Sequence, residues 1–229
     1  GAVEFGYDSV SAEVRHVQAD PGLRTGYWRS VGHSINAFVV ESFMDELAHR
    51  AGRDPLQFRL QHLAGNPRLA AVLRQVAEVG RWGAPMEPGS AQGIAAHYSF
   101  GSYVAQLVEV SVVEGDIRVH RVTVAIDCGK TINPDIIKAQ MEGGVIFGLT
   151  AALRGEITLQ DGRVQQTNFH DYPLLRIHEA PAITVHILSS AEAPGGVGEP
   201  AVPPIAPALA NALFAATGQR LRDLPLRLS

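Results

Sequence analysis

The 229-residue chain carries 18% charged residues, fewer than the roughly 25% typical of soluble domains, and its net charge of −4 leaves Lys and Arg scattered rather than gathered into a basic stripe. That excludes nucleic acid and anionic lipid as charge-driven partners, and a lone Cys128 excludes an internal disulfide framework or a cysteine-built zinc or iron–sulfur site. With 46% apolar residues the composition is that of a folded chain, and no apolar run reaches the roughly 18 residues of a transmembrane segment.

Residues 1–26 show weak periodicity, end in Asp20-Pro21-Gly22 and read as an extended lead-in. A helix is predicted from Ser34, with Ile35, Phe38, Val39, Phe43 and Leu47 as its apolar face and Gly52 as its stop. Asp54-Pro55 starts a second helix, with Gln57 completing a capping box, and Asn66-Pro67 starts a third carrying Leu69, Val72, Leu73 and Val76 as far as Gly80. After the Gly- and Pro-containing loop 83–92 the period changes to two. Val104, Val108, Val110 and Val112 alternate before a turn at Glu114-Gly115-Asp116. Ile117 and Val119 then sit on one parity but Val122, Val124 and Ile126 on the other, so a bulge is expected near His120-Arg121. Asn133-Pro134 opens a helix to about Ala152, in which Gly144 and Gly148 lie one above the other and permit close packing. Asp161-Gly162 predicts a hairpin, Ile183, Val185 and Ile187 a strand, and Ile205, Leu209, Ala212 and Leu213 a final helix. The expected fold is α+β, mixed sheets packed with helices. Its expected lobes are a helical one with its lead-in over residues 1–82 and a β-rich one with two helices over residues 93–229.

Two loops could carry chemistry. In Gly195-Gly196-Val197-Gly198-Glu199-Pro200 three glycines let backbone approach a ligand, and Pro200 restricts the conformation of Glu199. Glu199 is either a general base in an apolar setting or a cap for the helix that follows. In Gly26-Tyr27-Trp28-Arg29-Ser30-Val31-Gly32-His33-Ser34 two aromatics and an arginine precede a helix N-terminus. That arrangement suits an anionic ligand, or equally a hydrophobic staple and cap. None of the nine histidines forms an i, i+4 pair, and His97, His120 and His186 fall in strand segments with packing or surface roles. Asn168-Phe169-His170-Asp171-Tyr172 reads as a hydrogen-bonded corner or a pocket wall.

These loops, together with Ile126-Asp127-Cys128-Gly129, Asn133-Pro134 and Gln140-Met141-Glu142-Gly143-Gly144 between them, resemble the molybdenum-binding subunit of the xanthine dehydrogenase and aldehyde oxidase family. Trp28–Gly32, Asn36–Glu46 and Asn168–Pro173 are similar to the isoquinoline 1-oxidoreductase β-subunit type, and the resemblance runs from about Val14 to Leu226.

The resemblance implies part of a molybdopterin-binding domain, in which Glu199 is the base that takes a proton from a molybdenum-bound hydroxyl attacking an electron-poor carbon. Gln140, Arg29, Gly198 and Gly32 would contact the cofactor, and Trp28 and Val31 would line the substrate pocket. The metal would be held by the pterin dithiolene rather than by protein ligands. A molybdenum–molybdopterin cofactor in its cytosine dinucleotide form is implied, with [2Fe–2S] clusters in a small iron–sulfur partner subunit and a small heterocyclic or aldehyde substrate. The family commonly places an aromatic residue where this chain has Val31, which leaves the substrate open. Its Gly-Gly-Phe-Gly and Gly-Gln-Gly segments are not found here, and relatives of this type carry both upstream. A chain that opens Gly1-Ala2-Val3 without Met is thus expected to be the C-terminal part of a larger subunit, joined by the remainder of that subunit. The compartment stays open, because an export signal of the twin-arginine kind found in relatives would lie upstream. The alternative expectation is a non-catalytic binding or scaffold module that kept the fold.

Overall fold

Three of the five helices among the described residues begin where a short polar side chain and a proline announce them. In the computed structural model, which describes residues 1–229 apart from 4, 5, 10, 21, 25 and 229, they are α2 (Pro55–Gln61), α3 (Pro67–Val79) and α4 (Pro134–Leu153). Asp54 accepts from the Gln57 N–H at 2.9 Å and Asn66 from that of Leu69 at 3.3 Å, while Asn133 accepts from Asp135 and Ile136, both at 3.1 Å. Each cap occupies donors that a helix start leaves without partners. The other two helices, α1 (His33–Arg50) and α5 (Ile205–Thr217), start without a side-chain cap. No helix or strand precedes His33 among the described residues; Pro21, in the expected lead-in, lies outside them.

Strands β1 (Ser90–Ser99), β2 (Ser102–Val113), β3 (Asp116–Asp127) and β6 (Ala182–Ile187) form one sheet in the order β1-β2-β3-β6. The first three are antiparallel, and β6 runs parallel to β3 after a crossover through α4. The bulge expected in β3 is present: Glu109 faces Arg121 and Val110 faces Val119, so His120 is the extra residue. The Asp161-Gly162 hairpin forms with both residues at positive φ, although its strands, β4 (Leu159–Gln160) and β5 (Arg163–Val164), are only two residues long.

The sheet is covered on both faces. Helices α4 and α5 bury Met141, Val145, Leu149, Ile205, Leu209 and Leu213 against Val104, Val108, Val124 and Ile126. Helix α3 buries Leu69, Val72, Leu73 and Val76 with Leu107, Ala105 and Ala125 on the other face. Among the described residues one helix, α4, is long and apolar enough to cross a membrane by length and composition, and part of it packs in this core.

Strand β1 gives almost no β signal, being built from small residues, and closeness to α5 explains why. A methyl group on Gly93 would fall on the backbone of Ala208 and Ala212. Gly93→Ala is therefore expected to destabilise the fold by about 3 kcal/mol, since backbone cannot rotate away. An unchanged urea unfolding midpoint would contradict that contact.

One helix face is not as its periodicity suggests. Phe38 is buried as expected, but Ile35, Val39 and Phe43 of α1 are 69%, 62% and 56% exposed, and the helix instead buries Ala37, Glu41, Met44, Asp45 and Ala48. The two acids are inside because two arginines meet them. Arg59 Nε donates to Glu41 at 2.9 Å, and Arg220 Nη2 donates to Asp45 at 2.6 Å.

Candidate functional site

The glutamate loop is held in place by backbone contacts before any side chain acts. Gly195 N–H donates to the Cys128 carbonyl at 2.8 Å and Lys130 N–H to that of Glu192 at 2.8 Å, tying the loop to the β3–α4 connection. Gly196 N–H donates to the Phe100 carbonyl at 2.7 Å, and Ser102 Oγ to the Gly196 carbonyl at 2.7 Å, tying it to the β1–β2 turn. Gln106, inside the sheet, donates to the Ala201 carbonyl at 2.7 Å. Helix α4 closes on the far end. A methyl on Gly144 would lie 2.8 Å from Ala201 Cβ, and one on Gly148 would strike Ile205. The two glycines permit the close packing that their spacing suggested.

Loop 26–34 then reaches this segment from the opposite end of the sequence. Arg29 Nε donates to the Gly198 carbonyl at 2.8 Å, and its Nη2 donates both to that carbonyl and to Gln140 Oε1, the latter at 3.1 Å. The next residue, Ser30, donates its backbone N–H to Glu199 Oε1 at 2.8 Å. Arg29, Gln140, Gly198 and Glu199 therefore form one cluster, although 111 residues separate Arg29 from Gln140 and 169 separate it from Gly198.

The capping alternative for both loops is answered. The side chain of Glu199 does not cap α5, whose start has no side-chain cap, and Gly32 precedes α1 without one. The anion favoured near the start of α1 is the chain's own Glu199 carboxylate, and Arg29 is engaged by Gly198 and Gln140. Gly32 lies apart from those contacts: its carbonyl accepts from the side chain of Asn36 at 2.6 Å. Trp28 packs on Phe147 with ring centroids 4.8 Å apart, and Arg29 lies over the same ring at 5.6 Å. A cavity of about 340 Å³ opens beside Arg29, walled by Trp28, Phe147, Ile146 and Tyr172. Val31 faces a neighbouring cavity that Trp28 and Tyr172 also line.

Two participants were missed in the sequence. Phe147 follows Gln140 by seven residues on one helix, so the 3.6 period could have placed both on one face. The Ser30 amide had no such signal, since any residue carries an N–H. Beside the loop, His33 Nδ1 and His97 Nε2 share a hydrogen bond at 2.9 Å. Burial first, and then the facing His33, pull His97 down to about 3, so it is neutral near pH 7. Asp127 is held below the usual carboxylate range chiefly by Arg68, which donates two bonds of 2.7 Å, and by the Gly129 N–H. Asp171 accepts from Thr167 and Asn168, which makes 168–172 a hydrogen-bonded corner, while Tyr172 does line both cavities. Among the described residues no group of three or more His, Cys, Asp and Glu side chains could hold a metal ion.

Residues 25–181 match the molybdopterin cofactor-binding domain family. The chain belongs to that family. The matched stretch takes in Arg29 and Gln140 and ends before Glu199. This family member is similar to the beta chain of isoquinoline 1-oxidoreductase from Brevundimonas diminuta, at 42% identity over 88% of this chain and 26% of that one. It is also similar to a nicotinate dehydrogenase subunit of Pseudomonas putida, at 34% identity over 96% of this chain and 20% of that one. The chain thus spans about a quarter of the length of these curated relatives. A crystal structure of the aldehyde oxidoreductase from Desulfovibrio desulfuricans ATCC 27774 shares its fold, with a TM-score of 0.70 over 87% of this chain and 40% of that one at 14% identity.

The cluster fits a pterin. With Oε1 accepting from Arg29, the Gln140 amide offers Nε2 as a donor. A methyl on Gly143 would meet nothing within 4 Å, and one on Gly198 only Gln140 Oε1 at 3.9 Å, so a flat ligand can approach backbone here.

Proposed function

We propose that this chain supplies the base and part of the cofactor cradle of a molybdenum hydroxylase, which oxidises an N-heterocycle or an aldehyde with water as the oxygen source. The observation that carries this reading is the meeting of Arg29, Gln140, Gly198 and Glu199 from three distant segments. When bound, the molybdenum–pterin group supplies the two-electron acceptor. The chain's own residues orient and move protons around it. Arg29 fixes the Gly198 carbonyl and the Gln140 amide together and, by occupying Oε1, leaves Gln140 Nε2 as the donor that would hold the pterin. Glu199 keeps one carboxylate oxygen on the Ser30 N–H. Its other oxygen receives a proton as a substrate carbon gains a hydroxyl from water and gives up two electrons. Trp28 and Val31 line the substrate side, and an aromatic wall of Trp28, Phe147 and Tyr172 suits a flat ring.

The finer cofactor assignment is the cytosine dinucleotide form, with the electrons passing to [2Fe–2S] clusters in a small iron–sulfur partner subunit. The remainder of a larger subunit completes the cradle. The exposed Ile35, Val39 and Phe43 support that arrangement, since three apolar side chains on one helix face suit burial against further protein.

The test is metal and pterin analysis of the complete protein. Molybdenum and pterin are expected in equal amounts, and Gln140→Ala is expected to weaken pterin retention roughly tenfold through the lost hydrogen bonds. A complete protein that takes up no molybdenum when expressed with the cofactor supply would favour the scaffold reading instead.

A further inference from the structure

Two consecutive residues before α1, Ser30 and Val31, stand in the left-handed region at φ +76° and +51°. Neither is glycine and Val31 is β-branched, the side-chain type that region admits least. The turn they make is closed from both sides. Val31 N–H donates to the Trp28 carbonyl at 2.8 Å and His33 N–H to the Ser30 carbonyl at 3.0 Å. Ser30 is fully buried, and its hydroxyl bonds that of Ser34. The amide between these contacts, Ser30 N–H, points out of the turn at Glu199 Oε1. One residue earlier, Arg29 grips the Gly198 carbonyl. Residues 29 and 30 thus hold residues 198 and 199 in register, the first by backbone and the second by carboxylate.

We infer that the Ser30–Val31 turn is a preformed clamp for Glu199, in which the Ser30 amide occupies one carboxylate oxygen and so commits the other to the cofactor side. Ser30 is accordingly a positioning residue. Its consequence for catalysis rests on Glu199 being the base; the clamp itself does not. A charged acceptor strengthens such a bond, and a turn that cannot relax keeps the oxygen from wandering between substrate encounters. The turn's other ionisable neighbours are Arg29, bonded to Gly198 and Gln140, and His33, paired with His97, so any titration seen at Ser30 must be separated from theirs.

The experiment follows backbone amide resonances of this chain from acid to neutral pH, in the wild type and in Glu199→Gln. The Ser30 amide proton is expected to move downfield in one step as Glu199 ionises, and to lose that step in Glu199→Gln, while Gly196, on the Phe100 carbonyl, keeps its position. A Ser30 amide whose pH profile is the same in the wild type and in Glu199→Gln overturns the clamp. So does a variant in which Gly196 shifts as far as Ser30, because the loop would then not be preformed. In the molybdenum-loaded enzyme, Ser34→Ala removes the hydroxyl that anchors the Ser30 side chain and is expected to lower kcat roughly tenfold with KM and molybdenum content unchanged. Unaltered kcat there refutes the functional half. Failure of the Glu199 base assignment would appear separately, as turnover retained by Glu199→Gln.

Discussion

Glu199→Gln in the cofactor-loaded enzyme is expected to lower kcat by about 10²- to 10⁴-fold while leaving KM within a few-fold and molybdenum content unchanged. The substitution is chosen for what it keeps. The amide oxygen of a glutamine can still accept the Ser30 N–H, and Arg29 still holds the Gly198 carbonyl, so the loop has no reason to move. Only the capacity to take up a proton is lost. A truncation to Ala would free the Ser30 N–H as well and mix the loss of a base with a loosened loop. The effect should fall on kcat, because general-base work is done on the way to the transition state rather than in binding substrate. Full turnover at normal molybdenum content would remove Glu199 from the mechanism. A raised KM with unchanged kcat would make it a binding group.

The largest stability effect is expected at the buried ion pair between Glu41 and Arg59, whose side chains are 1% and 0% exposed. Glu41 accepts from Arg59 Nε at 2.9 Å, the Ala96 N–H at 3.0 Å and the Tyr7 hydroxyl at 2.6 Å, so it joins the lead-in, α1, α2 and β1. Burial works against the charge on Arg59, yet Glu41, Tyr7 and Asp45 together carry its pKa above the ordinary value. Burial and Glu41 both raise that of Tyr7, which keeps it a donor. Arg59→Met is expected to destabilise the fold by about 3–5 kcal/mol, because the attraction that compensates a buried carboxylate disappears. For a domain of this size that is roughly a 10 °C fall in Tm. Adding Glu41→Leu should recover much of the loss, since a well-packed apolar pair avoids the desolvation cost altogether. A single exchange costing under about 1 kcal/mol would mean the pair is hydrated in solution.

Local chemistry was legible residue by residue. Asp54, Asn66 and Asn133 announced their helices because a side-chain oxygen two or three residues from an N–H needs nothing else to cap it. The phase break between Val119 and Val122 announced the bulge, and Gly144 and Gly148 announced a close approach without saying to what. The exposed stripe of α1 was misread for a physical reason. Apolar periodicity identifies a core face only if polar side chains stay outside, and here Glu41 and Asp45 are inside because Arg59 and Arg220 arrive from α2 and the segment after α5. Strand β1 was silent because its small residues were set by the nearness of α5 rather than by strand propensity.

The sequence by itself determined the inventory: a lone acid in a glycine loop, an arginine before a helix and a glutamine on a helix. Tertiary structure decided what these groups are to one another. Arg29 faces inward to Gly198 and Gln140, and the anion at the loop is Glu199, held by an amide that every residue possesses. A hydrogen bond from backbone leaves no mark in residue type. Its direction comes from the left-handed turn at Ser30 and Val31, which local hydrogen bonds close, and only the fold brings Glu199 to that amide from 169 residues away.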